Sequence, residues 1–228
     1  MNNFKTWPLG KLPQTLQRPE LELLKQQGYS FDDFYDIVEI FEHKVAKFAG
    51  SQYAVAVDSC TNGIFLCLKY AQAKGTITIP NRTYVSIPMQ ILHAGCQIAF
   101  EEQTWSGVYQ LKPYDIWDGA TRWRQNMYQG GLHVVSFQIK KRIPIGRGGM
   151  ILTNDYKAYN WLKQSSHDGR NLKLTQDLDT VNMLGWHYYM TPEDAARGIL
   201  LMDQTPMIND DSSTDKSYKD LSNLEIFK

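Results

Sequence analysis

The chain has 228 residues, 43% of them hydrophobic and 12% aromatic, so it can bury a sizeable core and is not an intrinsically disordered protein. Its 24 Lys and Arg residues balance its 24 Asp and Glu residues, which leaves a formal net charge of zero. Because nucleic-acid binders depend on a basic excess to neutralise phosphates, this balance argues against a nucleic-acid partner and favours a small molecule or another protein.

Residues 1–30 form a predicted N-terminal arm, rich in Pro, Gln and Leu, with a short helix over 19–26. The segment FDDFYDIVEIFEHKVAKFAG follows, and its apolar residues recur at helical spacing. Asp32 is the predicted N-cap of this second helix, and Gly50 is its stop signal. The helix is therefore expected to pack its apolar stripe against a core.

From residue 53 onward, predicted strands and helices alternate. The strands are expected at 53–59, 76–80, 96–101, 112–120, 132–138 and 148–155, and the helices at 61–73, 86–95, 156–168 and 191–204. This alternation predicts an α/β fold over residues 31–205, a three-layer αβα domain whose mostly parallel sheet is covered by helices on both faces. Residues 206–228 are polar and punctuated by turn-forming residues, and are expected to be a mobile or docked C-terminal tail.

Polar residues follow the predicted strands, at the edge of a parallel sheet where ligands usually bind. In VDSCTNG, Ser59 and Thr61 lie where a strand gives way to a helix, whose free N–H groups can bind an anion. In YDIWD, Asp118 closes an apolar strand, where a buried carboxylate needs a cation or hydrogen-bond donors. Simple capping is the alternative for both features, and an ion pair with an arginine is a further alternative for Asp118.

A third junction, SFQIKKRIPIGRGG at 136–149, places two adjacent lysines between an apolar strand and a glycine-rich turn. A lysine in a dry, apolar pocket has a lowered pKa and becomes a nucleophile toward carbonyl groups. An exposed loop lysine beside a flexible turn is the alternative. The turn is not a phosphate-binding P-loop, because the GxxxxGK[ST] pattern is absent.

In this order, the pieces resemble the DegT-type aminotransferases, pyridoxal-phosphate enzymes that make amino sugars on nucleotide carriers. The resemblance runs from about residue 41 to residue 201. It is carried by FEHKVAKFAGSQYAVAVDSCTNGIFLCL, TIPNRTYVS, WDGAT, SFQIKKRIPIGRGGMILTND, HDGR and LGWHYYMTPEDAARG, of which the lysine stretch is the most specific. The fold implied is an aspartate-aminotransferase-like large domain (fold type I), with the family's C-terminal small domain largely absent.

The resemblance also indicates which lysine does chemistry. Lys141 lies five residues after Ser136 and five before Gly146, the two spacings of the family's Schiff-base lysine, and Lys140 satisfies neither. If the strand's alternation continued here, the two lysines would point to opposite sides and only one could face the cofactor. Lys141 is therefore the predicted catalytic lysine, expected to hold pyridoxal 5'-phosphate as an internal aldimine and to move the proton.

The other roles are carried over by resemblance. Asp118, the second predicted catalytic residue, would pair with the pyridine nitrogen and keep it protonated. Tyr84 would stack on the ring, and Thr121 stands where a Gln or His of the family approaches the cofactor. His187 stands where an Asn of the family reaches the neighbouring subunit's cofactor, which implies a homodimer with shared active sites. The phosphate would be held by Ser59, Cys60, Thr61 and Ser136.

Several positions depart from the family pattern. Cys60 replaces a glycine of the phosphate loop, Gln138 replaces a histidine, and Arg147 replaces the glutamate of the glycine-rich turn, which reverses a charge. Between residues 100 and 118 the chain also lacks a strand and a helix that the family has. These departures bear on the choice of substrate and reaction.

The implied activity is transfer of an amino group from an amino acid, with glutamate as the expected donor, to a keto group of a nucleotide-linked sugar. Lys141 favours this activity, because a dehydratase branch of the family has histidine there. Two alternatives stay open. One is a different pyridoxal-phosphate reaction, such as a dehydratase-like one, on the same scaffold. The other is a non-catalytic cofactor-binding or sugar-nucleotide-binding protein, which the missing segments favour.

The sequence also predicts a cytoplasmic protein. The segment MNNFKTWPLGKLPQ lacks the apolar core of a signal peptide, and no apolar stretch is long enough to cross a bilayer. Cys60, Cys67 and Cys96 are odd in number and lie in apolar runs without metal-ligand spacing. They are therefore expected to be free thiols in a reducing compartment, and no metal site is expected.

Overall fold

The computed structural model describes residues 18–31 and 33–228. Within them, the helices are α1 (Pro19–Gln26), α2 (Phe34–Ala49), α3 (Cys60–Tyr70), α4 (Ser86–His93), α5 (Tyr156–Ser165) and α6 (Pro192–Gln204). The strands are β1 (Tyr53–Val57), β2 (Thr76–Pro80), β3 (Gln97–Glu101), β4 (Tyr109–Gln110), β5 (Ile116–Asp118), β6 (Leu132–Ser136) and β7 (Gly149–Thr153). Most of the predicted helices and strands are present, and β4 is a strand that was not predicted.

Local signals account for the ends of α2. Its N-cap is Asp33, whose side chain accepts a hydrogen bond from the Tyr35 N–H at 2.8 Å, while Asp36 accepts one from the Asp33 N–H at 3.0 Å. Asp32, the predicted cap, lies outside the described residues. The helix ends at Gly50, as predicted, where a φ of 83° requires the left-handed conformation that glycine adopts most readily.

The strands form a five-stranded sheet in the order β1-β7-β6-β5-β4 and a two-stranded sheet of β2 and β3. The β5/β6 and β2/β3 pairs are parallel, whereas β7 is antiparallel to both of its neighbours and β4 is antiparallel to β5. Thus β1, β5 and β6 run in one direction, and β4 and β7 run against them. Only one of the four described strand pairs in the larger sheet is parallel, so this sheet is mixed rather than mostly parallel as predicted. Thr78 and Lys112 exchange two backbone hydrogen bonds, of 2.8 and 3.0 Å, that link the two sheets.

Each face of the larger sheet is covered by helices, which confirms the three-layer αβα fold. Alternation along β1 sends Ala54 and Ala56 to one core and Val55 and Val57 to the other. The first core packs against α1, α2 and α6, and the second packs against α3, α4 and α5. No described helix is both long and apolar enough to cross a membrane.

The segment 206–228 is docked on this domain, one of the two predicted states of the tail. Arg122 pairs with Asp211 at 2.7 Å, with both side chains largely buried. Leu221 is 1% exposed, and its N–H donates to the carbonyl oxygen of Asn81 at 2.8 Å. The division of the chain at residues 30 and 205 stays a prediction.

Candidate active site

A cavity of about 510 Å³ lies beyond the carboxyl ends of β1, β5 and β6, the edge of the sheet where the sequence places the site. Its lining contains eight of the nine predicted site residues, brought together from four separate parts of the chain. These are Ser59, Cys60, Thr61, Tyr84, Asp118, Thr121, Ser136 and Lys141. The ninth, His187, lies outside the cavity.

One end of the cavity is formed by the N-terminus of α3. Ser59 is its N-cap, and the Ser59 hydroxyl oxygen accepts a hydrogen bond from the Asn62 N–H at 3.1 Å. The hydroxyl of Thr61 lies 2.9 Å from that of Ser86, another residue of the lining that the sequence did not indicate. Free N–H groups and hydroxyls at a helix N-terminus form a site suited to an anion.

Cys60 adds no charge to this end of the cavity. Its side chain is 7% exposed, and burial raises the pKa of its thiol well above the ordinary value, so that it stays neutral. A side chain at Gly149 would bring a Cβ to within 2.5 Å of the Cys60 nitrogen. The start of β7 therefore packs directly against the first residue of α3.

A charge pair borders the same end. The Arg147 guanidinium lies 2.7 Å from the Asp58 carboxylate, which also accepts hydrogen bonds from the Asn62 side chain at 2.8 and 3.0 Å. Arg147 is the residue that reverses the charge of the family's glycine-rich turn. Here it neutralises a carboxylate adjacent to Ser59, and it also lines the cavity.

Asp118 also lines the cavity and is 4% exposed. Its carboxylate accepts hydrogen bonds from the Tyr109 hydroxyl at 2.5 Å and from the Ala120 N–H at 2.9 Å. Burial raises the pKa of Asp118, while these two donors and the nearby Lys141 ammonium act to lower it. Of the alternatives for Asp118, it does cap the next segment through the Ala120 N–H, and its side-chain partner among the described residues is a tyrosine rather than an arginine.

Lys140 and Lys141 both line the cavity, but they do not lie on a strand. The strand β6 ends at Ser136, and the Lys141 N–H donates to the Gln138 carbonyl at 2.8 Å, which closes a turn. The premise that strand alternation separates the two lysines was therefore wrong. Lys141 is half-buried, and its ammonium acts on the pKa of both Asp118 and Cys60, whereas Lys140 is exposed.

An aromatic ring and the docked tail also line the cavity. Tyr84 is 58% exposed and is one of the lining residues. Thr121 is buried, and its hydroxyl donates to the carbonyl oxygens of Gly107 and Ser213 at 3.3 and 3.4 Å, so in this arrangement it can bind a ligand only as an acceptor. The tail supplies Ser212, Ser213, Ser217 and Tyr218 to the lining. Sequence reasoning missed these four, because no local pattern signals a contact with a distant segment.

His187 is mostly exposed, and its Nδ1 lies 2.8 Å from the Asp168 carboxylate. Its predicted role concerns a neighbouring subunit, so its position outside this cavity leaves that role a prediction. His167 is buried, and burial is the main reason that its pKa is lowered to about 4. His167 is not among the residues that line the cavity.

The arrangement of sheet, helices and cavity is that of the fold-type-I large domain. AtS13 from Actinomadura melliaura is 18% identical, with a TM-score of 0.68, over 88% of this chain and 68% of its own. The sugar aminotransferase CalS13 from Micromonospora echinospora is 16% identical, with a TM-score of 0.66, over 82% and 64%. DesI, solved in the presence of its TDP-sugar product, is 19% identical, with a TM-score of 0.62, over 81% and 57%.

Residues 20–108 match the model of the DegT/DnrJ/EryC1/StrS aminotransferase family. Together with the fold, this match confirms the resemblance found in the sequence. No curated protein matches the chain at the sequence level. The chain spans from 57% to 68% of the length of the three similar structures, so the activity of the whole proteins is a separate question.

Proposed function

We propose that this protein is a pyridoxal-phosphate-dependent aminotransferase that moves an amino group from an amino acid to a keto group of a nucleotide-linked sugar. The observation that carries the proposal is the single cavity that unites a helix N-terminus, the buried Asp118 and the half-buried Lys141. The family match over residues 20–108 supports the same activity.

The lining of the cavity fits the cofactor. Pyridoxal phosphate carries an anionic phosphate group and a ring nitrogen that can be protonated. The cavity offers the N-terminus of α3 with the hydroxyls of Ser59 and Thr61 for the anion, and Asp118 for the cation. Both hydrogen-bond partners of Asp118 in the described part of the chain are neutral donors, so its carboxylate can accept a proton-bearing nitrogen.

Each residue has a distinct task in this proposal. When bound, the cofactor supplies an electron sink for the substrate carbanion. Lys141 would attach the cofactor through its amine and, when its amine is free, would take a proton from one carbon atom and return it to another. Asp118 would hold the proton on the ring nitrogen, and Tyr84 would stack on the ring. Ser136 and the start of α3 bind the phosphate and fix its position.

The proposal also covers the amino donor, the acceptor, the oligomeric state and the cellular compartment. Glutamate is the proposed amino donor. The sugar-nucleotide acceptor is suggested by the sugar aminotransferases that share the fold. A homodimer with shared sites is supported by the loop before His187, where Leu178 is 65% exposed and Leu184 is 89% exposed, so that a second copy could cover them. The three cysteines are unpaired and buried, which favours the cytoplasm.

The test is a pair of matched lysine variants. Lys141→Met and Lys140→Met remove the same charge from neighbouring positions of one turn. We expect the wild type and Lys140→Met to develop the absorbance band of bound pyridoxal phosphate, and borohydride followed by peptide mass spectrometry to place the reduced link on residue 141. Lys141→Met should show neither. A link spread over surface lysines in the wild type would overturn the proposal.

Two further measurements separate the alternatives. If glutamate changes the cofactor absorbance of the wild type and releases 2-oxoglutarate, the protein carries out a half-reaction and is not merely a binding protein. A keto sugar nucleotide is then added. If the original cofactor absorbance returns, and mass spectrometry shows that the sugar has gained an amino group, the reaction is a transamination rather than a dehydratase-like one. The absence of a strand and a helix between residues 100 and 118 favours the non-catalytic alternative. A response to glutamate would exclude that alternative, and cofactor binding without any response would support it.

A further inference from the structure

Asp118 faces a tyrosine across a strand pair. The short antiparallel ladder of β4 and β5 places Tyr109 directly opposite Asp118, and the tyrosine hydroxyl donates to Asp118 Oδ2 at 2.5 Å. The strand β4 lies in the connection that is shorter than the family pattern. The contact therefore belongs to the part of this chain that departs from its relatives.

A third buried group fixes the direction of these hydrogen bonds. The Thr83 hydroxyl lies 2.5 Å from the Tyr109 hydroxyl. Tyr109 has one hydroxyl proton, and an ionised Asp118 can only accept, so that proton goes to Asp118. Thr83 must then donate to Tyr109. The result is a chain of donors, from Thr83 through Tyr109, that ends on the carboxylate.

This chain of donors is shielded from water and packed in place. Thr83, Tyr109 and Asp118 are 2%, 3% and 4% exposed. The ring of Trp105 lies 4.9 Å from that of Tyr109 and packs against it. Because the Ala120 N–H binds Asp118 Oδ1 while Tyr109 binds Oδ2, both carboxylate oxygens are held and the group cannot rotate freely.

We propose that Tyr109, supported by Thr83, is a positioning residue that keeps Asp118 ionised and oriented at the wall of the cofactor cavity. What Asp118 does there rests on the proposed function. The effect of Tyr109 on Asp118 does not, because it follows from the contact itself. A charge-assisted hydrogen bond favours the ionised form of a carboxylate, which a buried site would otherwise disfavour.

Other groups also face Asp118. The Lys141 ammonium favours its ionised form, while the thiol of Cys60 and the hydroxyl of Tyr218 approach from α3 and from the tail. Burial raises the pKa of both Cys60 and Tyr218, so neither becomes an anion over the range in which Asp118 titrates. Of the described side chains that face Asp118, Tyr109 is the one that hydrogen-bonds its carboxylate.

The first test needs no cofactor. The ¹³Cγ chemical shift of Asp118, assigned by its loss in Asp118→Asn, is followed through an acid titration in the wild type, Tyr109→Phe and Thr83→Val. Loss of the donor should raise the titration midpoint of Asp118 by about one to two pH units in Tyr109→Phe. Thr83→Val should raise the midpoint of Asp118 by a smaller amount. If Tyr109→Phe does not fold, the midpoint in Thr83→Val tests the proposal instead.

The matched control is Tyr114→Phe, on the same connection. The Tyr114 hydroxyl bonds the backbone of Lys74, at 2.8 and 3.0 Å, rather than Asp118. Its removal should leave the Asp118 midpoint unchanged. If Tyr109→Phe shows the wild-type midpoint, or if Tyr114→Phe shifts it equally, Tyr109 has no specific role and the proposal is overturned.

The second test uses pyridoxal phosphate labelled with ¹⁵N in the ring. In the wild type and Tyr114→Phe the nitrogen should give the chemical shift of a protonated ring, and in Tyr109→Phe it should move toward the unprotonated value at the same pH. An unchanged shift in Tyr109→Phe would overturn the link to the cofactor. If the wild type binds no cofactor, the proposed function fails, while the first titration still decides the role of Tyr109.

Discussion

Gly119 lies against a histidine ring that leaves no room for a side chain. A Cβ built on Gly119 would fall 1.9 Å from His133 Nε2, and His133 is completely buried. We expect Gly119→Ala to lower the free energy of unfolding by about 1–3 kcal/mol, because the ring cannot move without displacing its neighbours. Urea denaturation measures this loss.

The same contact provides its own control. His133→Ala removes the ring, so adding a methyl group at Gly119 in that background should cost much less than in the wild type. A double-mutant cycle therefore gives a coupling between the two positions. Equal costs of Gly119→Ala in both backgrounds would show that the ring is not what excludes the side chain.

Arg147 is the second residue with a local test. It is 71% exposed, so its ion pair with Asp58 adds little to stability, but it offsets a carboxylate beside the proposed phosphate site. Arg147→Glu should weaken pyridoxal phosphate binding about tenfold at low ionic strength, and less at high ionic strength. Arg147→Gln, measured by the same titration, should fall between. Equal affinities of the two variants at both salt levels would contradict this account.

Among the elements, those with strong local signals were predicted best. The bounds of α1 and β2 agree with the prediction, and the glycine that ends α2 was identified because a left-handed residue is a local requirement. The strand β4 was missed because two residues carry no periodicity, and it forms only by pairing with β5. The turn at Lys141 was not predicted, since the run is apolar on both sides of the two lysines and carries no local turn signal at the lysines themselves.

A buried ion pair joins three elements and makes their stability depend on pH. Glu42 of α2 accepts hydrogen bonds from the Ala56 N–H of β1 at 2.7 Å and from Lys163 of α5 at 2.9 and 3.0 Å. Burial raises the pKa of Glu42, and Lys163 acts against that rise. Lys163→Met should therefore raise the pKa further and cost about 3–5 kcal/mol in unfolding free energy near neutral pH.

The sign of the pH dependence follows from linkage. A carboxyl group whose folded-state pKa lies above the unfolded value is favourable when protonated, and its contribution is lost as pH rises through the folded value. Lys163→Met should thus lose more stability at about pH 8 than at about pH 5. The double variant Glu42→Gln with Lys163→Met should recover most of the loss and show no such difference. Equal losses at both pH values in Lys163→Met would refute the mechanism.

At the scale of the whole molecule, the sequence indicated the residues at the strand ends better than the distant segment that packs beside them. Ser59 and Asp118 were proposed because each lies at the end of a strand, and Lys141 because its spacing resembles that of the family's lysine; the three residues line one cavity. The contribution of residues 206–228 could not be found in this way. Tyr218 borders the cavity and stacks on Trp105, at 5.7 Å between ring centroids, through contacts that span more than a hundred residues of chain.

One largely buried ion pair contributes to the docking of that segment. Asp211 binds Arg122 at 2.7 and 2.9 Å and the Ser106 hydroxyl at 2.9 Å. Hydrogen bonding from Arg122 is the main cause that lowers the pKa of Asp211. The stability that this carboxylate confers is therefore present above its unfolded pKa and is lost as pH falls through the lowered folded value.

Asp211→Asn keeps the shape of the side chain but removes its charge. It should release the segment locally, so that the Ser212 amide, which donates to the Thr121 carbonyl, exchanges hydrogen about tenfold faster while amides of β6 are unaffected. Lys112→Ala, which breaks an exposed pair with Glu101, is the control and should change neither rate. If Asp211→Asn speeds exchange in β6 as much as at Ser212, the segment does not open separately from the domain, and its residues are a fixed part of the cavity wall.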